Sequence, residues 1–201
     1  MRLIGCVIIS LLCCFHGNAQ EKAIILKNVN VVDVVEGSIR KGQDVVIKEG
    51  IIQAVGKGAG TGVSGEVKDL TGMYVMPGLI DAHVHIANDP KESQADRAKH
   101  LEYFLRHGVT SIRDAAGDAR VLRELKEGVQ QGKYLGPDIY YAAFMAGPAY
   151  FEGNDREKSM VEGWPEPYAP WMQCIRPDSD LDKAMEDAKE WGCTGVKIYG
   201  G

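Results

Sequence analysis

The residues of this chain best suited to chemistry are two histidines one position apart, His83 and His85, in the run Met76-Pro77-Gly78-Leu79-Ile80-Asp81-Ala82-His83-Val84-His85. In a strand, side chains two apart share a face, so both imidazoles project together while Ala82 and Val84 face the other way into apolar packing. Two rings roughly 7 Å apart along a strand can converge on one ion, each offering a ring nitrogen at about 2.0–2.1 Å. The chemistry in reach is hydrolysis assisted by a divalent metal, which lowers the pKa of water and polarises a carbonyl. Taken alone, His-x-His is a weak signal, because histidine pairs on strands are often surface or core residues. The surrounding elements decide its weight.

Upstream, Ala23 to Val75 is a series of short β-branched runs broken by glycine, which predicts an antiparallel β unit. Within it, Val45 to Val55 around Glu49-Gly50 predicts a hairpin. At Pro77-Gly78 the pattern changes to strand and helix in alternation: strands over Leu79–His85, Thr110–Ala115, Asp138–Ala143 and Gly195–Gly200, and helices over Lys91–His107, Asp118–Gln131 and Asp180–Trp191. That alternation implies a parallel sheet with helical crossovers. Leu101, Phe104 and Leu105 stripe the first helix and Leu122, Leu125 and Val129 the second, as covering helices require. His83 and His85 then fall at the C-terminal end of the first strand, the rim where α/β barrels carry their active sites.

Other polar residues have plainer readings. Arg113 and Asp114 are adjacent, so one faces into a barrel and the other outward, as a structural ion pair or strand-end charge. His100 and His107 lie near a helix C-terminus, where positive charge is favoured, and read as structural. The segment Phe144 to Arg176 is too long for an ordinary loop and carries Tyr150, Phe151, Trp164, Tyr168 and Trp171 among its prolines. It is either an aromatic lid or substrate wall, or a packed surface loop or a contact with a neighbouring subunit.

The chain has 201 residues, 45% hydrophobic and 25% charged, ordinary for a globular protein and unlike a disordered one. Its formal net charge of -5, with no cationic block, argues against nucleic acid as a partner. Arg2, the apolar run Leu3 to Phe15 and the small residues Gly17-Asn18-Ala19 resemble a secretory signal peptide cut after Ala19. The run is shorter than the roughly 20 residues a spanning helix needs. The expected destination is periplasmic or secreted, without a membrane anchor once the signal is cleaved. Cys6, Cys13 and Cys14 leave with that segment; Cys174 and Cys193 remain, enough for one disulfide or two unpaired thiols.

A β-rich unit running into Pro77-Gly78-Leu79-Ile80-Asp81-Ala82-His83-Val84-His85 resembles the amidohydrolase superfamily, in its imidazolonepropionase-like and metal-dependent dipeptidase-like branch. The resemblance continues through His107-Gly108-Val109-Thr110-Ser111-Ile112-Arg113-Asp114 and Gly192-Cys193-Thr194-Gly195-Val196-Lys197-Ile198-Tyr199. It implies an α/β fold, the first half of a metal-dependent-hydrolase TIM barrel preceded by the N-terminal part of a composite β-sandwich. The implied divisions are a signal peptide over 1–19, sandwich strands over 20–76 and the first four βα units of a truncated barrel over 77–201. A chain of this length is shorter than the roughly 250 residues of a complete barrel.

The resemblance also implies a ligand set. His83 and His85 are metal ligands, and Lys197, at the position commonly carboxylated in such proteins, bridges two metals. A free ammonium among Val196, Ile198 and Tyr199 is costly to bury unless paired or modified, although a lysine stem can also pack while its head reaches solvent. The expected cofactor is a divalent metal, Zn²⁺ by preference, as one or two ions. The activity implied is hydrolysis of a C–N bond in an amide, cyclic amide or dipeptide, by metal-activated water. The remaining ligands and the acid/base aspartate of the superfamily lie on later strands, beyond residue 201, so no catalytic acid/base is assigned in this chain. Where several dipeptidase-like relatives have Gly-Gly-His after the third strand, this chain has Ala146-Gly147-Pro148. The expected partner is a small-molecule or dipeptide-like substrate, with a homo-oligomer compatible with the complete protein. The alternative is a catalytically inactive truncated relative serving as a binding or structural module.

Overall fold

The computed structural model describes residues 22–152, 160–165 and 167–199. The signal-peptide expectation at residues 1–19 lies outside them. The described residues divide into two units, one on either side of the Pro77–Gly78 junction.

The first unit is one five-stranded sheet. Strands β1 (Ala23–Asp33), β2 (Ser38–Lys48) and β3 (Ile51–Gly56) form an antiparallel meander, while β4 (Gly65–Asp69) and β5 (Tyr74–Val75) pair with β1 in parallel. The expected hairpin is present: Lys48 pairs with Ile51 across Glu49 and Gly50, whose φ values of 53° and 72° suit a two-residue turn built on left-handed conformations. The expectation of an antiparallel unit is corrected at β4 and β5. β-Branched runs report that a strand exists but not its partner, and the long Gly56–Gly65 connection lets the chain return in parallel to β1. Gly65 is fitted to that pairing, since a Cβ there would lie 2.1 Å from the Ala23 carbonyl oxygen. Ala23, Ile25 and Val46 form this unit's buried cluster.

The second unit alternates strand and helix. Strands β6 (Leu79–Val84), β7 (Val109–Asp114) and β8 (Asp138–Ala146) run parallel, separated by helices α1 (Gln94–Arg106) and α2 (Ala119–Gln130). A single turn, α3 (Pro148–Phe151), and two short strands, β9 (Tyr168–Ala169) and β10 (Met172–Cys174), precede α4 (Leu181–Glu190) and β11 (Gly195–Tyr199). Over Phe144–Ala146, β8 has β11 on one edge and β10 on the other, both parallel to it. The α/β class expected from the alternation is the one the chain adopts.

Each of the three longer helices begins at a side chain suited to hold it. Ser93, Asp118 and Asp180 accept from the backbone N–H groups of Asp96, Arg120 and Lys183 respectively. Leu101 of α1 and Leu122 and Leu125 of α2 are fully buried with Val84, Ile112, Ile139 and Tyr141 in one core cluster. Ala184 and Ala188 of α4 pack against Ala143 and Met145. Strand alternation therefore directs Ile112, Asp114, Ile139 and Tyr141 towards the helices and leaves Arg113, Tyr140, Phe144 and Lys197 on the opposite face.

The described part of the long segment after β8 packs in two places. Trp171, with no solvent exposure, packs against Trp164 and Trp191 beneath the Arg120 guanidinium, which makes that part a packed structural loop. Tyr150 and Phe151 instead gather around Phe144. Cys174 and Cys193 are both free thiols, and burial pushes the Cys193 thiol up to about 12. Among the described residues, no helix is long and apolar enough to cross a membrane.

Candidate metal centre

Strand β6 ends at Val84, so His83 occupies its penultimate position and His85 the first position beyond. The pairing with β7 slips between Asp81 and Val84, which face Ile112 and Asp114, placing an extra residue on β6 at Ala82-His83. This β-bulge corrects the simple alternation expected for the run: Val84 is buried, but Ala82 is exposed rather than packed. A bulge leaves one residue out of the ladder and re-aims its neighbours. Asp81 serves the interrupted backbone, its Oδ1 accepting from the His83 N–H at 3.1 Å.

The consequence is a close imidazole pair. The two ring centroids lie 5.2 Å apart at an interplanar angle of 61°, and both side chains are exposed. Two imidazoles bound to one tetrahedral ion through nitrogens at about 2.0–2.1 Å have their centroids about 5 Å apart. The centroid separation is the one that two imidazoles sharing a divalent ion would show. Asn88, three residues on, places its Nδ2 3.0 Å from His85 Nδ1.

Asp114 ties the turn after β6 to the end of β7. It has no solvent exposure; its Oδ2 accepts from the Ile86 N–H at 2.7 Å and its Oδ1 from the Gly117 N–H at 2.6 Å. Burial pushes the Asp114 carboxyl up to about 6, against the backbone donors of Ile86, Gly117 and Ala87 and the charge of His83, all of which pull it down. It is neither half of an ion pair nor a loose strand-end charge. Its partners are backbone groups, and only the register of β6 on β7 reveals them. Arg113, on the other face, brings its Nη2 near Gly195. His100 and His107 make local contacts on α1, to Glu92 at 3.0 Å and to the Tyr103 carbonyl at 2.7 Å.

Lys197 lies on β11 opposite Phe144 of β8. Its ammonium sits 5.3 Å from the centroid of the Tyr199 ring, which stacks on Phe144 at 4.5 Å. The structure therefore brings His83 and His85 together, while the ring contact of Lys197 among the described residues is Tyr199. A cavity of about 260 Å³ lies beside His85: Asn88 and Ala116 share that part of its wall, and Phe144, Tyr150 and Tyr199 form another. Among the described residues, no three His, Cys, Asp or Glu side chains converge as a ready-made metal cluster.

Known proteins place this geometry in a family. The amidohydrolase family model matches residues 74–194, from the end of the first unit to the start of β11. A dihydroorotase of Trichlorobacter lovleyi is 35% identical over 89 residues, covering 44% of this chain and 21% of that protein. An adenine deaminase of Lysinibacillus sphaericus is 37% identical over 92 residues, 46% of this chain and 15% of that protein. Among solved structures, a prolidase complexed with N-methylphosphonate-L-proline superposes with a TM-score of 0.67 at 24% identity, over 90% of this chain and 47% of that one. A Xaa-Pro dipeptidase with bound methionine gives a TM-score of 0.69 at 21% identity, over 90% and 48%. At those identities the likeness is one of fold. The chain spans about half the length of these structures and matches about a fifth or less of the curated relatives' length. With more than half of its residues inside the family model, this chain belongs to the amidohydrolase family.

Proposed function

We propose that the protein hydrolyses a C–N bond in a small amide, cyclic amide or dipeptide, using a divalent metal held by His83 and His85. The observation that carries this reading is the imidazole pair, whose 5.2 Å separation suits a shared ion. When bound, such an ion lowers the pKa of water and polarises the scissile carbonyl. Zn²⁺, as one or two ions, suits the imidazole donors. The relatives named dihydroorotase, adenine deaminase and Xaa-Pro dipeptidase support C–N hydrolysis as the shared chemistry.

Within this reading, Asp81 keeps the bulge that presents His83, and for His85 to ligate through Nε2 the Asn88 amide beside its Nδ1 must turn so that its oxygen accepts from Nδ1–H. Hydrogen bonding at one ring nitrogen fixes which nitrogen faces an ion. Lys197, carboxylated, would offer oxygen donors from β11, its stem lying on the same face as Phe144. Phe144, Tyr150 and Tyr199 give the cavity an aromatic wall beside His85, against which a substrate side chain can be held. Export directed by residues 1–19 belongs to the same reading.

The test is metal analysis and turnover together. These 201 residues loaded with Zn²⁺ should retain metal through gel filtration without turnover, and a form that also carries the later-strand ligands and the acid/base aspartate should hydrolyse members of a panel of dipeptides, acylated amino acids and cyclic amides. The His83→Ala/His85→Ala double variant should lose both, and Lys197→Met should lower metal content without lowering thermal stability. Full metal occupancy in the double variant would sink the proposal.

A further inference from the structure

The peptide that follows His85 is held on both sides by buried charged side chains from other elements. The Ile86 N–H donates to Asp114 Oδ2 at 2.7 Å, and the Ile86 carbonyl accepts from Arg97 Nε at 3.1 Å. Asp114 comes from the end of β7 and Arg97 from the first turn of α1; they are 0% and 4% exposed.

Neither side chain is at liberty to turn away. The second oxygen of Asp114 is occupied by the Gly117 N–H at 2.6 Å. The other nitrogens of Arg97 donate to the Glu92 carbonyl at 2.6 Å and to the Asp89 carbonyl. Rotation of either would leave several buried groups unsatisfied, the costliest kind of hydrogen-bond loss. Backbone bonds close the same junction: Ala115 N–H to the Val84 carbonyl at 2.9 Å and Asp118 N–H to the Ala87 carbonyl at 3.1 Å. The space is filled as well, since a Cβ on Gly117 would lie 2.8 Å from Asp114 Oδ1 and 2.9 Å from Ala87 Cβ.

We propose that Asp114 and Arg97 form a two-sided clamp on the Ile86 backbone that sets the direction of the His85 imidazole, making both of them positioning residues for the metal site. The inference rests on the reading of His83 and His85 as ligands. A metal bond is demanding about direction, and groups that orient a ligand from behind are commonly worth about 10- to 100-fold in affinity. A loop that needed only to stay folded could be held at any of its peptides. Here two charged side chains, buried at some energetic cost, meet on the residue adjoining the candidate ligand.

The experiment uses the full chain with Zn²⁺ as probe, measuring affinity by chelator competition and the Ile86 amide by hydrogen exchange. Asp114→Asn presents an amide NH₂ where one backbone donor needs an acceptor, and Arg97→Lys keeps the charge but loses the forked donors. Each should weaken Zn²⁺ binding by about 10- to 100-fold and speed exchange at Ile86. Leu122→Ala is the control, because it loosens the packing of α2 without touching the clamp, and it should keep parental affinity. If Asp114→Asn does not fold, Arg97→Lys decides. A folded clamp variant with parental Zn²⁺ affinity or parental Ile86 exchange overturns the clamp, as does an equal loss of affinity in the Leu122→Ala control. Parental Zn²⁺ affinity in the His83→Ala/His85→Ala variant overturns the ligand reading instead, and Ile86 exchange in the clamp variants keeps the two failures apart.

Discussion

His85 and Lys197 both belong to the second unit, yet they are held in opposite ways. Behind His85, the next residue is bonded at its N–H and at its carbonyl, by Asp114 and Arg97. Lys197 rests on ring surfaces, its ammonium over Tyr199 and Tyr199 stacked on Phe144. Directional bonds hold a group that must already point correctly, and dispersion holds one that is free to adjust. In the proposed site that division suits the donors. An imidazole offers its nitrogen as it stands, whereas a lysine has no oxygen to offer until it has reacted.

Cutting the soft side of the comparison should have the largest effect. Phe144 is 3% exposed and touches Tyr150, Phe151 and Tyr199, so Phe144→Ala should cost about 3–5 kcal/mol in denaturant unfolding. The imidazole signals of His83 and His85 should nevertheless stay in place. A shift of both would show that the two sides are one packed unit and erase the contrast.

The rigid side carries a pH dependence. The Asp114 carboxyl stands at about 6 in the folded chain, above its unfolded value of about 3.9. The folded state therefore holds more protons between those values, and this group's contribution is greatest below about pH 4 and falls as pH rises through 6. The change is on the order of 3 kcal/mol. A carboxyl-carbon NMR titration should find the Asp114 midpoint at about 6; a midpoint near the unfolded value would mean that the backbone donors and the charge of His83 cancel burial.

The smallest effect lies beside the clamp. Ala116 has φ 85°, a conformation glycine adopts readily and alanine at a cost. Ala116→Gly should raise stability by up to about 1 kcal/mol. If stability falls instead, the methyl group, 3% exposed and lining the cavity, contributes more in packing than its backbone loses in strain.

Much of this architecture was legible from local patterns, because it depends on local chemistry. Glu49-Gly50 announces a tight turn, Asp118 and Asp180 stand at the starts of the helices expected there, and apolar spacing on α1 and α2 announces the covered face, whereas the helix expected from Lys91 begins only after the Ser93 cap. His83 and His85 are visible as a pair. Their actual geometry is not, because the bulge at Ala82-His83 depends on how β6 meets β7. Arg97 looks like any surface charge of a helix; it is buried because the loop after β6 folds back over it. The parallel pairing of β4 and β5 with β1 is likewise a long-range choice that short β-branched runs do not record.

That pairing has a consequence for the order in which the first unit assembles. The β2–β3 hairpin joins Lys48 to Ile51 across two residues, a contact that closes on the microsecond scale, roughly 1–10 μs for an isolated hairpin. The β1–β4 ladder must bring Ala23 against Gly65, and β5 must bring Tyr74 against Asn30, after the entropy of much longer loops has been lost. Contacts distant in sequence slow folding, so the meander forms first and the two parallel strands dock onto a β1 edge already presented to them. Until they arrive, that edge is a row of unpaired backbone groups open to another chain. Time-resolved hydrogen exchange should show β2 and β3 amides protected before those of β4.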